Sequence, residues 1–255
     1  MKASKVFWVI FGAATQVIFA VTAMRLFCYL RGGEGYHGIL APAGSQGYAW
    51  IWVDGLLALQ FGVSHSLLLW PPVRGRLARA TPSALFGCIF CLATCVSLGA
   101  TMELWRPSPL AIWRLEGLAG QAVGAAFLLS WAGLFYSLWL TGMGHQTGFT
   151  NWWDWSRGRK PAPRKFEPRG AYRHLRHPVY LSFLGLVWFN PTMTLDRAVL
   201  TVVWTAHIFV GSHLKDRRLV RYVGEPYRDY QRQVPGYPFL PDGPLGREPA
   251  PSISA

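Results

Sequence analysis

Four stretches of this chain stay apolar for more than twenty residues: Val6 to Leu30, Tyr48 to Trp70, Ala84 to Trp105 and Leu118 to Thr141. A helix needs about 20 mostly apolar residues to cross a bilayer, so each run has the length of a span. A segment in lipid must satisfy its own backbone hydrogen bonds, which a helix does and an isolated strand does not. The first run is too long for the core of a signal peptide and lacks a small-residue cleavage site, so it reads as a retained helix. Composition agrees: 51% of residues are hydrophobic and 15% charged, against roughly 25% charged in soluble domains. A disordered chain, a coiled coil and an ordinary soluble enzyme are excluded.

Two shorter runs follow a polar stretch from His145 to Arg176. Pro178 to Asn190 is short for a span, Asn190-Pro191-Thr192-Met193-Thr194 is a turn, and Arg197 to His213 returns. Together they read as a helical hairpin. The expectation is an all-α integral membrane protein, a bundle of six transmembrane helices, or five if the short run stays in the polar layer. It divides into a four-helix region (1–144), a loop-hairpin-helix region (145–240) and a Pro/Gly/Ser-rich disordered tail (241–255).

Net charge is +13, and the positions of the 25 Lys and Arg explain it. Twenty of them fall at the N-terminus, in the loop after the second run, in the loop after the fourth and after the last. Six spans with both termini cytoplasmic put all of these on one side, as the positive-inside rule requires. The charge therefore reports topology and contact with anionic membrane lipid. No nucleic-acid recognition module is visible, and no nucleic-acid partner is expected. Trp152, Trp153 and Trp155 are expected at headgroup depth.

Polar residues that could carry chemistry concentrate between Gly170 and Phe239. Pro178 sits well at a first helical position, which leaves the first N–H groups of that helix free for an anion. Arg176 and His177 stand beside it, and Tyr180 shares the His177 face. A ligand carboxylate or phosphate suits this corner, and so does lipid-headgroup anchoring. Tyr227 and Tyr230 share a face and could stack on a purine ring or form an interfacial belt. Asp216 could accept from a ribose or pair with Arg173 or Arg176. Within the spans, His65, Asp54, Gln60, Gln121 and His207 are polar where polarity is costly and faces inward. Cys88, Cys91 and Cys95 share one helix face, but without a second ligand cluster they read as small packing residues, and no metal site is expected.

The run RHPVYL, then an apolar hairpin with NPTMT at its turn, then LKDRRL, VGEPYRDY and VPGYPF, resembles the isoprenylcysteine carboxyl methyltransferase superfamily. Within it the chain looks most like the bacterial methanethiol S-methyltransferases, which share a His-Ser pair (His65 and Ser66) before a basic loop. The resemblance is strong over Gly170 to Phe239, looser over Leu56 to Trp105, and absent from the first 45 residues and the tail. It implies a membrane-embedded enzyme of the bacterial inner membrane that uses S-adenosyl-L-methionine to methylate a small thiol, such as methanethiol to dimethyl sulfide. A prenylcysteine or lipid acceptor, or a non-catalytic homologue, are the alternatives.

The resemblance assigns Arg176, His177, Pro178, Tyr180, Tyr227 and Tyr230 to the cofactor. Its Val-Pro…Pro falls on Val234, Pro235 and Pro238. His65, Arg173 and Asp216 are the catalytic candidates, with His65, His177 or Arg173 helping the acceptor thiol lose its proton. Two positions depart from the pattern. Lys215-Asp216 stands where the family has a Glu pair, and Ser182 stands where it has Gly.

Overall fold

The computed structural model describes residues 2–32, 49–160 and 166–248. Ten helices and one pair of short strands occur among them. Helices α1 (Lys2–Arg31), α2 (Ala49–Leu69), α4 (Phe86–Leu104) and α5 (Gly117–Leu140) coincide with the four long runs. All four are long and apolar enough to cross a membrane. Their lipid-side residues, such as Trp52, Leu118 and Leu129, are exposed, as expected where hydrocarbon rather than water is the solvent. The protein is an integral membrane protein of the all-α class.

Pro71 and Pro72 lack the N–H groups needed to continue α2. They start a new short helix, α3 (Pro71–Ala80), where the sequence had suggested only a basic loop. The polar stretch after α5 is also more ordered than expected. Gly142 and Gly148, both at positive φ, flank α6 (Met143–Gln146), and α7 (Phe149–Ser156) follows. Trp152 faces the protein interior rather than the surface. It is buried with Leu85 and Cys88, and its indole lies where a Cβ on Gly12 of α1 would be. Cys88, Cys91 and Cys95 are buried on α4, which packs against α1 and α2. No group able to hold a metal ion occurs among the described residues.

The expected hairpin is present but asymmetric. Helix α8 (Pro178–Trp188) has 11 residues and rises about 16 Å, roughly half the hydrocarbon thickness. Four helices meet the length and composition of a span among the described residues, and α8 is a shorter apolar helix. Helix α9 (Leu195–Val223) is 29 residues long, apolar at first and charged beyond His213. α8 packs on α5 and α9, and α9 packs on α2. Leu26, Phe127, Trp131, Leu186 and Trp204 form the shared core.

The hairpin turn is a strand rather than a simple loop. β2 (Thr192–Thr194) pairs antiparallel with β1 (Ala111–Arg114). Asp196 then accepts from Trp105 Nε1 and Ser108 N, both at 2.9 Å, and Arg197 donates to the carbonyls of Tyr29 and Leu30. These bonds fix one end of the hairpin. The start of α8 and the charged half of α9 are thereby held together at the other end. Gly224, at φ 79°, stops α9, and α10 (Glu225–Gln233) turns back over this end.

The segment 241–248 corrects the expectation of a disordered tail. Arg247 N donates to Pro241 O at 2.8 Å and Gly243 N to Arg247 O at 2.9 Å. Glu248 is bonded to Gln231 of α10 through both backbone and side chain. Residues 249–255 lie outside the described residues.

Candidate functional site

The free end of the hairpin gathers most of the residues that the motifs singled out. Arg176 and His177 precede α8, with Pro178 at its first position. Their backbone N–H groups donate to Pro235 O and Gly236 O, so the Val-Pro-Gly segment after α10 is fixed to the start of α8. Gly236 is required there: a Cβ would lie 2.2 Å from Leu245 O and 2.9 Å from His177 Cδ2. Arg176 is 1% exposed, His177 0% and Asp216 2%. Such burial of charge is tolerable only with pairing.

Asp216 supplies that pairing. Its Oδ2 lies 3.1 Å from His177 Nε2 and 3.4 Å from Arg176 Nη2, and its Oδ1 accepts from the Tyr227 hydroxyl at 2.5 Å. Burial alone would raise the Asp216 carboxyl, but the donors around it hold it below its ordinary value and ionised. Burial pushes His177 down, more than Asp216 raises it, so the imidazole is neutral. An ionised carboxylate only accepts, so the single ring proton of His177 belongs on Nε2. Tyr227 is pushed up by burial and by the adjacent carboxylate, and stays a phenol. The Tyr230 hydroxyl donates to the carbonyl of Tyr172, and Phe166 closes edge-on over both tyrosine rings. The two tyrosines are thus turned into the protein with their hydroxyls occupied. The spacing had left open a stacking face for a purine or an interfacial belt.

Arg176 also donates through Nη2 to Gly246 O at 2.8 Å and Pro244 O at 3.3 Å. Three polar atoms in this cluster remain without a partner among the described residues: Arg176 Nε, Arg176 Nη1 and His177 Nδ1. Two are donors and the third, on a neutral imidazole, is an acceptor. Unmet buried polar atoms are costly. A carboxylate beside an amine would satisfy all three.

The other candidates lie apart. Arg173 is exposed at the end of a short 3₁₀ turn, Gly170–Arg173. His65 is half-buried in α2, with Nδ1 3.4 Å from Thr94 Oγ1. It packs edge-on to Phe90 and to His207 of α9, at centroid distances of 4.6 and 6.3 Å. His207 was legible only as a polar residue in a span; its partner is set by α2–α9 packing. Tyr180 stands edge-on to His177 at 5.5 Å, and a Cβ on Gly211 would lie 3.6 Å from its ring. Gln60 bonds to Ser97 and Thr101 within the bundle, and Asp54 accepts from Arg106 N at the opposite end. Both are occupied internally.

Similarity to known proteins agrees with the motif. The chain is 31% identical over 183 residues to methanethiol S-methyltransferase of Pseudomonas deceptionensis, covering 71% of this chain and 70% of that one. It is 28% identical over 235 residues to methanethiol S-methyltransferase of Mycobacterium tuberculosis, covering 89% and 93%. Nurim of Danio rerio is 28% identical over 186 residues, covering 69% and 67%. No family model matches the chain, and no solved structure matches it.

Proposed function

The chain belongs to the methanethiol S-methyltransferase family, and from that premise we propose that this membrane methyltransferase moves a methyl group from S-adenosyl-L-methionine to a small thiol, with methanethiol giving dimethyl sulfide. The observation that carries the reading is the buried Arg176–His177–Asp216 cluster with its three unmet polar atoms. The wider placement among isoprenylcysteine carboxyl methyltransferases rests on the motif resemblance. The positive-inside pattern favours the site and both termini on the cytoplasmic side of a bacterial inner membrane.

The cofactor would supply an electrophilic methyl on a cationic sulfur. Arg176 Nε and Nη1 would hold its carboxylate, His177 Nδ1 would accept from its amine, and Asp216 keeps both residues aimed. A water-poor site favours the joining of opposite charges, because charge is cancelled as the new bond forms. What the protein must do is hold donor and acceptor in line, which in ideal cases supplies roughly 7–11 kcal/mol.

A second reading has its own observation. An apolar cavity of about 700 Å³ opens between α5, α8 and α9, bordered by Leu129, Leu181, Trp188, Phe209 and Phe239. A lipophilic acceptor would fit there better than a gas-sized thiol. One experiment separates the readings. Detergent-purified protein is titrated calorimetrically with S-adenosyl-L-methionine, with S-adenosylhomocysteine as comparator, then incubated with methanethiol or a prenylcysteine. Micromolar binding, weakened at least tenfold by His177→Ala, with dimethyl sulfide as product is the expected result. Absence of binding by folded protein would overturn the reading. Turnover of the prenylcysteine alone would favour the second.

A further inference from the structure

We propose that Lys215 is the base that takes the proton from the acceptor thiol, and that the faces of Tyr172 and Tyr180 hold the ammonium it becomes. The proposal rests on the thiol-methylating reading above. It starts from elimination at the site. Simple alkyl thiols are largely protonated at neutral pH, and only the thiolate is an effective nucleophile. Asp216 is saturated by Arg176, His177 and Tyr227. His177 already donates through Nε2, and its other nitrogen is buried without a partner among the described residues. Arg173 is exposed and, as a guanidinium, does not release its proton. His65 of α2 is engaged through Nδ1 with Thr94 of α4.

Lys215 differs from all of these. It follows directly from the apolar part of α9 and is half-buried. Its Nζ lies 5.5 Å from the ring centroid of Tyr180 and 5.8 Å from that of Tyr172. It makes no salt bridge or hydrogen bond among the described residues. Aromatic faces at this distance attract an ammonium without sharing its proton. The titratable and charged groups around it are Tyr172 of the 3₁₀ turn, Arg176 and His177 before α8, Tyr180 of α8, and Asp216 and Arg218 of α9. Burial with Arg176 and Arg218 outweighs Asp216 and brings the amine down to about 8.

A second cation resolves what looks like a defect in the sequence. A lysine where the family carries a carboxylate would repel a bound sulfonium if it were charged. The same repulsion keeps it neutral, and a neutral amine is a base matched to a thiol. In the step, the S–H bond breaks and its proton passes to Lys215 Nζ. The sulfur electron pair forms the new S–CH₃ bond as the methyl–sulfonium bond breaks, and that pair stays on the donor sulfur. Net charge is unchanged, because the lost sulfonium charge reappears as ammonium. Lys215 then returns its proton to water at the polar end of α9.

The first test needs neither cofactor nor turnover. Wild-type protein is acetylated with limiting acetic anhydride across a pH series, and each lysine is quantified by mass spectrometry. Lys215 should reach half its reactivity near pH 8, against a usual lysine midpoint of about 10.4. A midpoint above 10 would overturn the proposal. The second test compares Lys215→Arg and Lys215→Ala. Both should retain cofactor binding and lose about 100-fold or more in kcat, and millimolar methylamine should restore part of the loss in Lys215→Ala only. Retained binding without rescue would overturn the proposal. If wild-type protein bound no cofactor, the thiol-methylating reading would fall, while the labelling midpoint would still be measured.

Discussion

Asp216→Ala is expected to lower the apparent melting temperature of the detergent-solubilised protein by roughly 10 °C and to abolish cofactor binding. Asp216 is the shared acceptor of Arg176, His177 and Tyr227. Its removal leaves a guanidinium that is 1% exposed without its counter-charge. Breaking one side of such a buried pair costs about 3–5 kcal/mol, which in a chain of this length is a shift of several degrees per pair of kcal/mol. Asp216→Asn keeps the shape but supplies an N–H₂ facing other donors, and should be nearly as damaging. A melting temperature within 2 °C of wild type for both would show that the cluster does not depend on this carboxylate.

The same cluster sets an acid limit. Both Asp216 and His177 have native values below their unfolded ones. In each case the unfolded chain binds protons more readily, so stability rises with pH across the interval between the two values. The His177 contribution is complete above about pH 6.5 and is lost as pH falls below it. The Asp216 contribution is complete above about pH 4 and is lost under more acid conditions. Melting temperature measured from pH 8 downward should therefore begin to fall between pH 6 and 7. In His177→Gln that first decline should become shallower.

The spans were legible because lipid imposes a single rule, about 20 apolar residues in a row, and α1, α2, α4 and α5 obey it. The Arg-His-Pro-x-Tyr and Tyr-x-x-Tyr motifs marked the candidate site for a different reason: the structure brings Arg176, His177 and Tyr227 of these motifs onto one carboxylate, Asp216. What was not legible depends on distant partners. β1 is four residues long and its pairing partner lies about 80 positions later, beyond the reach of any local alternation. Trp152 reads as an interfacial aromatic until Gly12 of another helix opens a place for it. Tyr227 and Tyr230 share a face, as their spacing requires, but spacing does not say whether that face looks out at a ligand or in at Asp216. Lys215 is visible in the sequence only as a departure from the Glu pair, because the aromatic faces beside it, Tyr172 and Tyr180, come from other elements.

The tail was misjudged on composition, and its order has a consequence for binding. Pro, Gly and Ser usually mark a chain that cannot bury enough apolar surface to stay ordered. Here the segment 241–248 is held by backbone groups instead. Its Gly246 and Pro244 carbonyls accept from Arg176, and Leu245 packs beside Leu184 and Tyr237. The fit depends on Gly236, whose absent Cβ leaves room for the Leu245 carbonyl. Gly236→Ala should therefore push the segment off Arg176. Each hydrogen bond to a charged group contributes about 1.5–3 kcal/mol, so losing two should weaken cofactor binding at least tenfold and open the exposed Arg247 to trypsin. Gly75→Ala in α3, where no atom lies within 4 Å of the added Cβ, is the control and should change neither property. Equal trypsin resistance and equal affinity in Gly236→Ala would mean that Arg176 is positioned by Asp216 alone, with the segment merely resting on it. Early cleavage at Arg247 with weakened binding would make the segment a wall of the cofactor pocket, built by carbonyls that a reading of side chains passes over.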